Sequence, residues 1–89
     1  MLLTYRLTVD MVFEEEAHLE SVIGTHHVRE GQGEVEVKPT STQIGEVCTM
    51  QAEGTLPDLL EWLLKEWEDD ELATQEFAEA TLSGRLVRI

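Results

Sequence analysis

The strongest structural signal in this chain is residues 55–68, TLPDLLEWLLKEWE. Thr55 precedes Asp58 by three residues, as in a capping box, and Pro57 falls in the first turn, where its missing N–H costs nothing. We predict a helix from about Leu56 to Glu68. At about 100° per residue, its apolar side chains share one arc, which we expect to be buried. This arc consists of Leu56, Leu59, Leu60, Leu63, Leu64 and Trp67.

Two elements are predicted near the start of the chain. Leu3 to Met11 alternates between apolar and polar residues, which predicts a strand with one buried face. Glu14 is the first of three consecutive glutamates, which favour a helix N-terminus, and apolar residues then recur at helical spacing. We therefore predict a short helix from about Glu14 to Ile23, capped by Gly24.

A hairpin is predicted around the turn Gly31-Gln32-Gly33. Its strands are Thr25–Glu30 and Glu34–Lys38, and the second of these alternates strictly. Pro39 and the polar residues after it are expected to interrupt the ladder. The next strand should run from Val47 to Ala52, and Gly54 should end it.

The residues after the long helix predict a closing strand. The acidic residues 68–71 could cap one further turn through Leu72 and Ala73. Beyond that turn, apolar residues recur at even-numbered positions, which predicts a strand with one apolar face. Gly84 within it indicates a bulge or a close approach of another backbone. The apolar positions of this predicted strand are Ala78, Ala80, Leu82 and Leu86.

This order of elements predicts the α+β class. We expect a single small domain over residues 1–89, because chains divide into several domains only at greater lengths. The expected architecture is a mainly antiparallel sheet of four or five strands. Two or three helices pack on one face of this sheet, in a split βαβ-like arrangement.

The charge of the chain narrows the class of partner. Asp and Glu number 19 against 6 Lys and Arg, for a formal net charge of −13. This sign opposes direct binding to nucleic acid and to anionic membranes. Cys48 is the only cysteine, and neither a signal peptide nor a membrane span is recognisable, so we expect a cytoplasmic protein.

Few residues suggest catalysis. Cys48 falls on the apolar side of its predicted strand, which favours a buried small side chain over a nucleophile. His26 and His27 are adjacent, so in a strand they point to opposite faces and cannot bind one ion together. Glu14 and His18 share a helical face, but two ligands are too few for a metal site. We expect no enzymatic activity, no metal and no cofactor.

The most informative feature is the density of acids between Asp58 and Glu79, where nine acids accompany one base, Lys65. Carboxylates at i, i+4 on a helix lie about 5–6 Å apart, comparable with the phosphates of a nucleic-acid strand. Trp62 lies off the apolar arc among these acids, and tryptophan is enriched at binding hot spots. The predicted partner-binding residues are Asp58, Glu61, Trp62, Glu66, Asp69, Asp70 and Glu71.

Each of these features also has a purely structural interpretation. An acidic helix face can serve solubility alone, and an acidic surface is also typical of halophilic proteins. Trp62 could instead pack under the terminal strand or against the segment around Phe77.

The observations favour a small acidic, non-enzymatic binding protein that docks its acidic helical face on a basic protein surface. In size and charge the chain resembles the acidic inhibitors that phages encode against host nucleases and restriction or CRISPR machinery. This resemblance implies an anti-CRISPR-like nucleic-acid mimic whose partner is a nucleic-acid-binding protein. The alternatives are an immunity protein against a nuclease toxin, a self-assembling structural component such as a homodimer, and a small-ligand regulatory domain.

The binding hypothesis predicts that replacing Glu66, Asp69 and Asp70 with Lys abolishes partner binding and leaves the fold intact.

Overall fold

The computed structural model of the protein describes residues 3–13, 15–40 and 47–89, and these residues form five strands and three helices. The elements are β1 (Tyr5–Val12), α1 (Glu16–Val22), β2 (Gly24–Val28), β3 (Gly33–Pro39), β4 (Val47–Gly54), α2 (Leu56–Glu66), α3 (Asp70–Leu82) and β5 (Leu86–Arg88). Within these described ranges, no helix is long and apolar enough to cross a membrane.

The five strands form one antiparallel sheet in the order β2–β3–β4–β1–β5. β1 lies between β4 and β5 and is antiparallel to both, so β4 and β5 run in the same direction. Helices α2 and α3 connect these two parallel strands across β1. This connection is a split βαβ unit, and the predicted α+β class is confirmed.

One face of the sheet is buried and the other is open. A strand points successive side chains to opposite faces, so the apolar positions of β1 and β4 meet on one side. Their buried pairs are Leu7–Ala52, Val9–Met50 and Met11–Cys48. Helix α2 packs on β2, β3 and β4, and α3 packs on β1 and β5, so both cover this apolar face.

The predicted hairpin is confirmed, because β2 and β3 pair from Gly24–Val37 to Val28–Gly33. Its turn lies earlier than predicted: Arg29 and Glu30 belong to the turn rather than to the first strand, and Gly33 is already in β3. β3 ends at Pro39, which pairs with Met50 as the last residue of its ladder, one residue beyond the predicted strand end at Lys38. Proline is tolerated there because the end of a strand requires fewer N–H donors. The polar residues 41–43 of the predicted interruption lie outside the described residues.

Helix α1 is shorter than the helix predicted from Glu14 to Ile23. Glu14 lies outside the described residues, and Ile23 is the C-cap residue in an extended conformation. Gly24 follows with a φ of +120°, but it is the first residue of β2. The chain therefore passes from α1 into the hairpin without an intervening loop.

Helix α3 replaces most of the predicted closing strand. Residues 78–82, predicted to alternate in a strand, are helical, and β5 is only three residues long. Gly84 is not a bulge: it has a φ of +77° and follows the C-cap residue Ser83. The Arg85 N–H donates to Ala80 O at 2.7 Å, as in a Schellman motif. The prediction failed because a short run of spaced apolar residues fits both the two-residue period of a strand and the 3.6-residue period of a helix.

Both long helices begin at side-chain caps. Thr55 Oγ1 accepts a hydrogen bond from the Asp58 N–H at 3.4 Å, which confirms the predicted start of α2. Asp69 Oδ1 accepts from the Leu72 N–H at 2.9 Å and caps α3. The acidic run after α2 therefore starts a full helix rather than the single predicted turn.

Removal of the α3 cap should lower stability. We expect Asp69→Ala to reduce the free energy of unfolding by about 1 kcal/mol, because the Leu72 N–H loses its acceptor. Asp69→Asn retains a side-chain oxygen and should lose much less. Urea denaturation followed by circular dichroism measures both variants. Equal losses for both would show that charge, rather than capping, stabilises this helix start.

Candidate interaction surface

The buried side of helix α2 overlaps the predicted arc of leucines but is rotated around the helix axis relative to it. Leu59 and Leu63 are fully buried, but Leu56 is 36% exposed. The remaining members of the predicted arc, Leu60, Leu64 and Trp67, are half-buried. Asp58 and Trp62 are buried instead. The reason is that α2 packs on β2 and β3 as well as on β4, so the hairpin covers a side of the helix that a simple amphipathic pattern leaves in solvent.

Trp62 was predicted as an exposed anchor for a partner, and that prediction is wrong. Its side chain is 1% exposed, and its ring centroid lies 6.4 Å from that of His26 in an edge arrangement. Its Nε1–H has no hydrogen-bond acceptor among the described residues. Trp62 therefore belongs to the core beneath the hairpin and is not accessible to a partner.

Asp58 was also predicted to contact a partner, but it is 4% exposed and forms an internal ion pair. Arg29 Nε donates to Asp58 Oδ1 at 2.5 Å, and the Arg29 backbone N–H donates to Glu61 Oε2. A buried carboxylate requires such a partner, because its desolvation is otherwise costly. These two carboxylates of α2 therefore hold the β2–β3 turn against the helix.

The turn that Arg29 occupies has a left-handed backbone. Arg29 and Glu30 have φ values of +51° and +57°, and the Gly31 N–H donates to Val28 O at 3.1 Å. Two successive positive φ values are typical of a type I′ turn, which normally favours Asn and Gly. Each non-glycine residue costs about 1 kcal/mol in this conformation. The contacts of Arg29 with α2 offset that cost.

Gly33 provides the space for the Asp58 carboxylate. A Cβ atom on Gly33 would lie 2.6 Å from Asp58 Cγ and nearer still to Asp58 Oδ1. Gly33 is buried and its φ is outside the left-handed region, so this position requires a glycine for space rather than for backbone freedom. The sequence indicated only a turn here, since the partner of Gly33 lies 25 residues away.

The contact between Gly33 and Asp58 predicts a non-additive pair of substitutions. Gly33→Ala should reduce the free energy of unfolding by about 2 kcal/mol, because the added methyl group displaces the carboxylate. In the Asp58→Ala background the same substitution should cost much less, because the obstructing group is gone. Chemical denaturation of the two single variants and the double variant measures this difference. Additive losses would contradict the described packing.

The rest of the predicted site lies at the junction of α2 and α3. Glu66 is half-buried, whereas Asp69, Asp70 and Glu71 are exposed. Asp69 caps α3, and Asp70 and Glu71 lie in its first turn, where the helix dipole favours acids. Glu61 is half-buried, and its Oε2 lies 3.8 Å from Lys65 Nζ. The structure therefore divides the seven predicted residues into an inward group beneath the hairpin and an outward group at this junction.

The charges differ strongly between the two faces of the domain. Residues 15–22 and 56–82 contain twelve acids and one base, Lys65. The open face of the sheet carries bases as well as acids, and two of its acids form ion pairs with arginines. Arg6 Nη2 lies 2.9 Å from Glu53 Oε1, and Arg85 Nη2 lies 3.7 Å from Asp10 Oδ2. The negative charge of the protein is therefore concentrated on the helical side.

Most carboxylates on the helical side have no counterion among the described residues. We define the acidic helical surface as Glu66, Glu68, Asp69, Asp70, Glu71, Glu76 and Glu79. Within the described part of the chain, none of these seven forms an ion pair. Their mutual repulsion lowers stability, and a cationic partner would relieve it.

The residues considered for catalysis do not converge. Cys48 is fully buried in β4, which confirms its predicted packing role. His26 is half-buried and His27 exposed on opposite faces of β2, also as predicted, and His18 is exposed on α1. Glu14, the predicted neighbour of His18, lies outside the described residues. Among residues 3–13, 15–40 and 47–89, no group of three or more His, Cys, Asp or Glu side chains could hold a metal ion.

Comparison with known proteins places the chain in no family. No protein-family model, curated protein or solved structure matches it. The burial, charge and contacts of the described residues are therefore the basis for inferring its function.

Proposed function

We propose that this protein is a small non-enzymatic binding protein that docks its acidic helical surface on a basic surface of another protein. The observation that supports this proposal is the contrast between the two faces of the domain. Glu53 and Asp10 on the open sheet face pair with Arg6 and Arg85, whereas the seven acids of the acidic helical surface form no ion pair within the described residues. The negative electrostatic potential of these acids attracts cationic surfaces and accelerates their association.

The contact residues of this proposal differ from those expected from the sequence. Asp58 and Trp62 are buried, and Glu61 accepts a hydrogen bond from the Arg29 N–H, so we assign no partner contact to these three. Asp69 caps α3 and has a structural role of its own. The proposed contacts are Glu66, Glu68, Asp70, Glu71, Glu76 and Glu79.

A protein that binds nucleic acid is the partner class that we favour. Glu76 and Glu79 are three residues apart on α3, so their Cβ atoms lie about 5–6 Å apart on one side of the helix. A groove whose Lys and Arg side chains bind the phosphates of a nucleic acid would find negative charges at a comparable spacing on this helix. Nucleases and host-defence complexes have such grooves, and occupation of the groove would inhibit them. An immunity protein against a nuclease toxin would act by the same chemistry.

Charge reversal at two matched locations tests this proposal. The first variant combines Glu66→Lys, Asp70→Lys and Glu71→Lys on the acidic helical surface and leaves the cap Asp69 in place. The second combines Glu15→Lys, Glu16→Lys and Glu20→Lys, which are exposed residues at α1. Both variants carry the same net charge. Circular dichroism and thermal denaturation establish that each variant is folded.

We expect the wild type and the α1 variant to retain a basic protein from a lysate of the source organism at low salt, and the first variant to lose it. High salt should release the protein from the wild type, because salt screens exposed charges. Nucleic acid added as a competitor should also release it. Equal loss of binding in both variants would indicate attraction by net charge alone, and retention in both would refute the proposed surface.

A further inference from the structure

In helix α3 the small side chains are buried and the large apolar ones are exposed, the opposite of an ordinary surface helix. Its buried residues are the small Ala73 and Ala80, with Phe77 half-buried. Its two leucines point outward: Leu72 is 48% exposed and Leu82 is 89% exposed. A surface helix normally turns its large apolar residues toward the core, because their burial contributes most to stability. The exposed leucines are therefore not explained by the packing of this domain.

The exposed leucines lie among acids on one side of the helix. At about 100° per residue, Leu82 projects almost directly away from the buried alanines, on the same side as Glu71 and Gln75. Leu72 and Glu79 lie together on one flank of this side, about 60–80° from Leu82 around the helix axis. We define the outer face of α3 as Glu71, Leu72, Gln75, Ala78, Glu79 and Leu82. Leu82 is ten positions after Leu72, which corresponds to about 15 Å along the helix axis.

The charge of this face decides between its conceivable occupants. A second copy of the chain would bring Glu71 and Glu79 against the same acids, and like charges in contact oppose association. An anionic membrane is disfavoured for the same reason. A helix that carries both Lys or Arg and apolar residues complements both components of the face. Its apolar residues would cover Leu72 and Leu82, and its cations would pair with the two glutamates.

We propose that the outer face of α3 binds a basic amphipathic helix of about three turns. This inference rests on the proposed function, because it names the element of the basic partner that α3 contacts. It adds that binding depends on apolar burial as well as on charge. When a partner covers an exposed leucine, the apolar surface of that leucine is removed from water, which favours binding. The surrounding acids then determine which partner is selected.

Two synthetic peptides of about 15 residues provide the probe. Both contain the same numbers of Leu and Lys. In the first, Leu recurs at i, i+3, i+4 and i+7, so that the peptide is amphipathic as a helix; in the second, the order is permuted to remove this period. Titration calorimetry measures the affinities, and amide chemical shifts locate the bound peptide. We expect the amphipathic peptide to bind more tightly and to shift the amides of α3.

The protein variants separate apolar contact from charge. We expect Leu72→Gln with Leu82→Gln to weaken binding of the amphipathic peptide by about tenfold or more, while glutamine preserves the helix and the net charge. The matched control is Val12→Gln with Val87→Gln, which replaces two exposed apolar residues of β1 and β5, 61% and 42% exposed. The control should bind as the wild type does.

The outcomes distinguish this inference from the proposed function. Binding that is unchanged in the leucine variant but lost on reversal of Glu66, Asp70 and Glu71 would refute the apolar contact and leave charge-based docking intact. Equal affinity for the permuted peptide, or no binding of either peptide, would also overturn the inference. Sedimentation of the protein alone completes the test. A dimer that disappears on Leu72→Gln with Leu82→Gln would identify a second copy as the occupant.

Discussion

The ion pair between Asp58 and Arg29 connects the helical layer to the hairpin. Arg29 lies in a turn with a left-handed backbone, and α2 holds it through Asp58 Oδ1 and Glu61 Oε2. The same contact requires a glycine at position 33, because the carboxylate occupies the space of a side chain there. With α2 attached in this way, Trp62 is enclosed beneath the hairpin. The orientation of α2, and hence which acids reach the surface, depends on this pair.

The orientation of α2 separates two kinds of acidic residue that look alike in the sequence. Asp58 and Glu61 face the hairpin and compensate Arg29, so their charges serve the fold. Beyond the end of α2, the acids have no such partner among the described residues, and several lie at the start of α3. An acid near a helix N-terminus stabilises that helix, so the acids at the start of α3 are explained in part by the helix dipole. Glu76 and Glu79 lie beyond the first turn, where that cause no longer applies.

Helix α3 also explains why the closing strand was mispredicted. Its inward positions carry alanines and its outward positions carry leucines, so the amphipathic pattern that identifies a helix is weak. Short alternation between Ala78 and Leu82 then fits a strand equally well. The capping residues are a clearer signal: Asp69 begins the helix and Gly84 ends it in a left-handed conformation. These two positions define the helix better than its apolar residues do.

The amino-acid sequence by itself determined the α+β class, the hairpin, the start of α2 and the buried position of Cys48. These features follow from periodicity and from turn and cap residues within a few positions of one another. Only the tertiary structure decided that Asp58 and Trp62 are buried, that Gly33 provides space for a carboxylate, and that the leucines of α3 are exposed. Each of these depends on which elements pack together. Contacts between residues distant in the chain, such as Arg29 with Asp58, leave no periodic trace in the sequence.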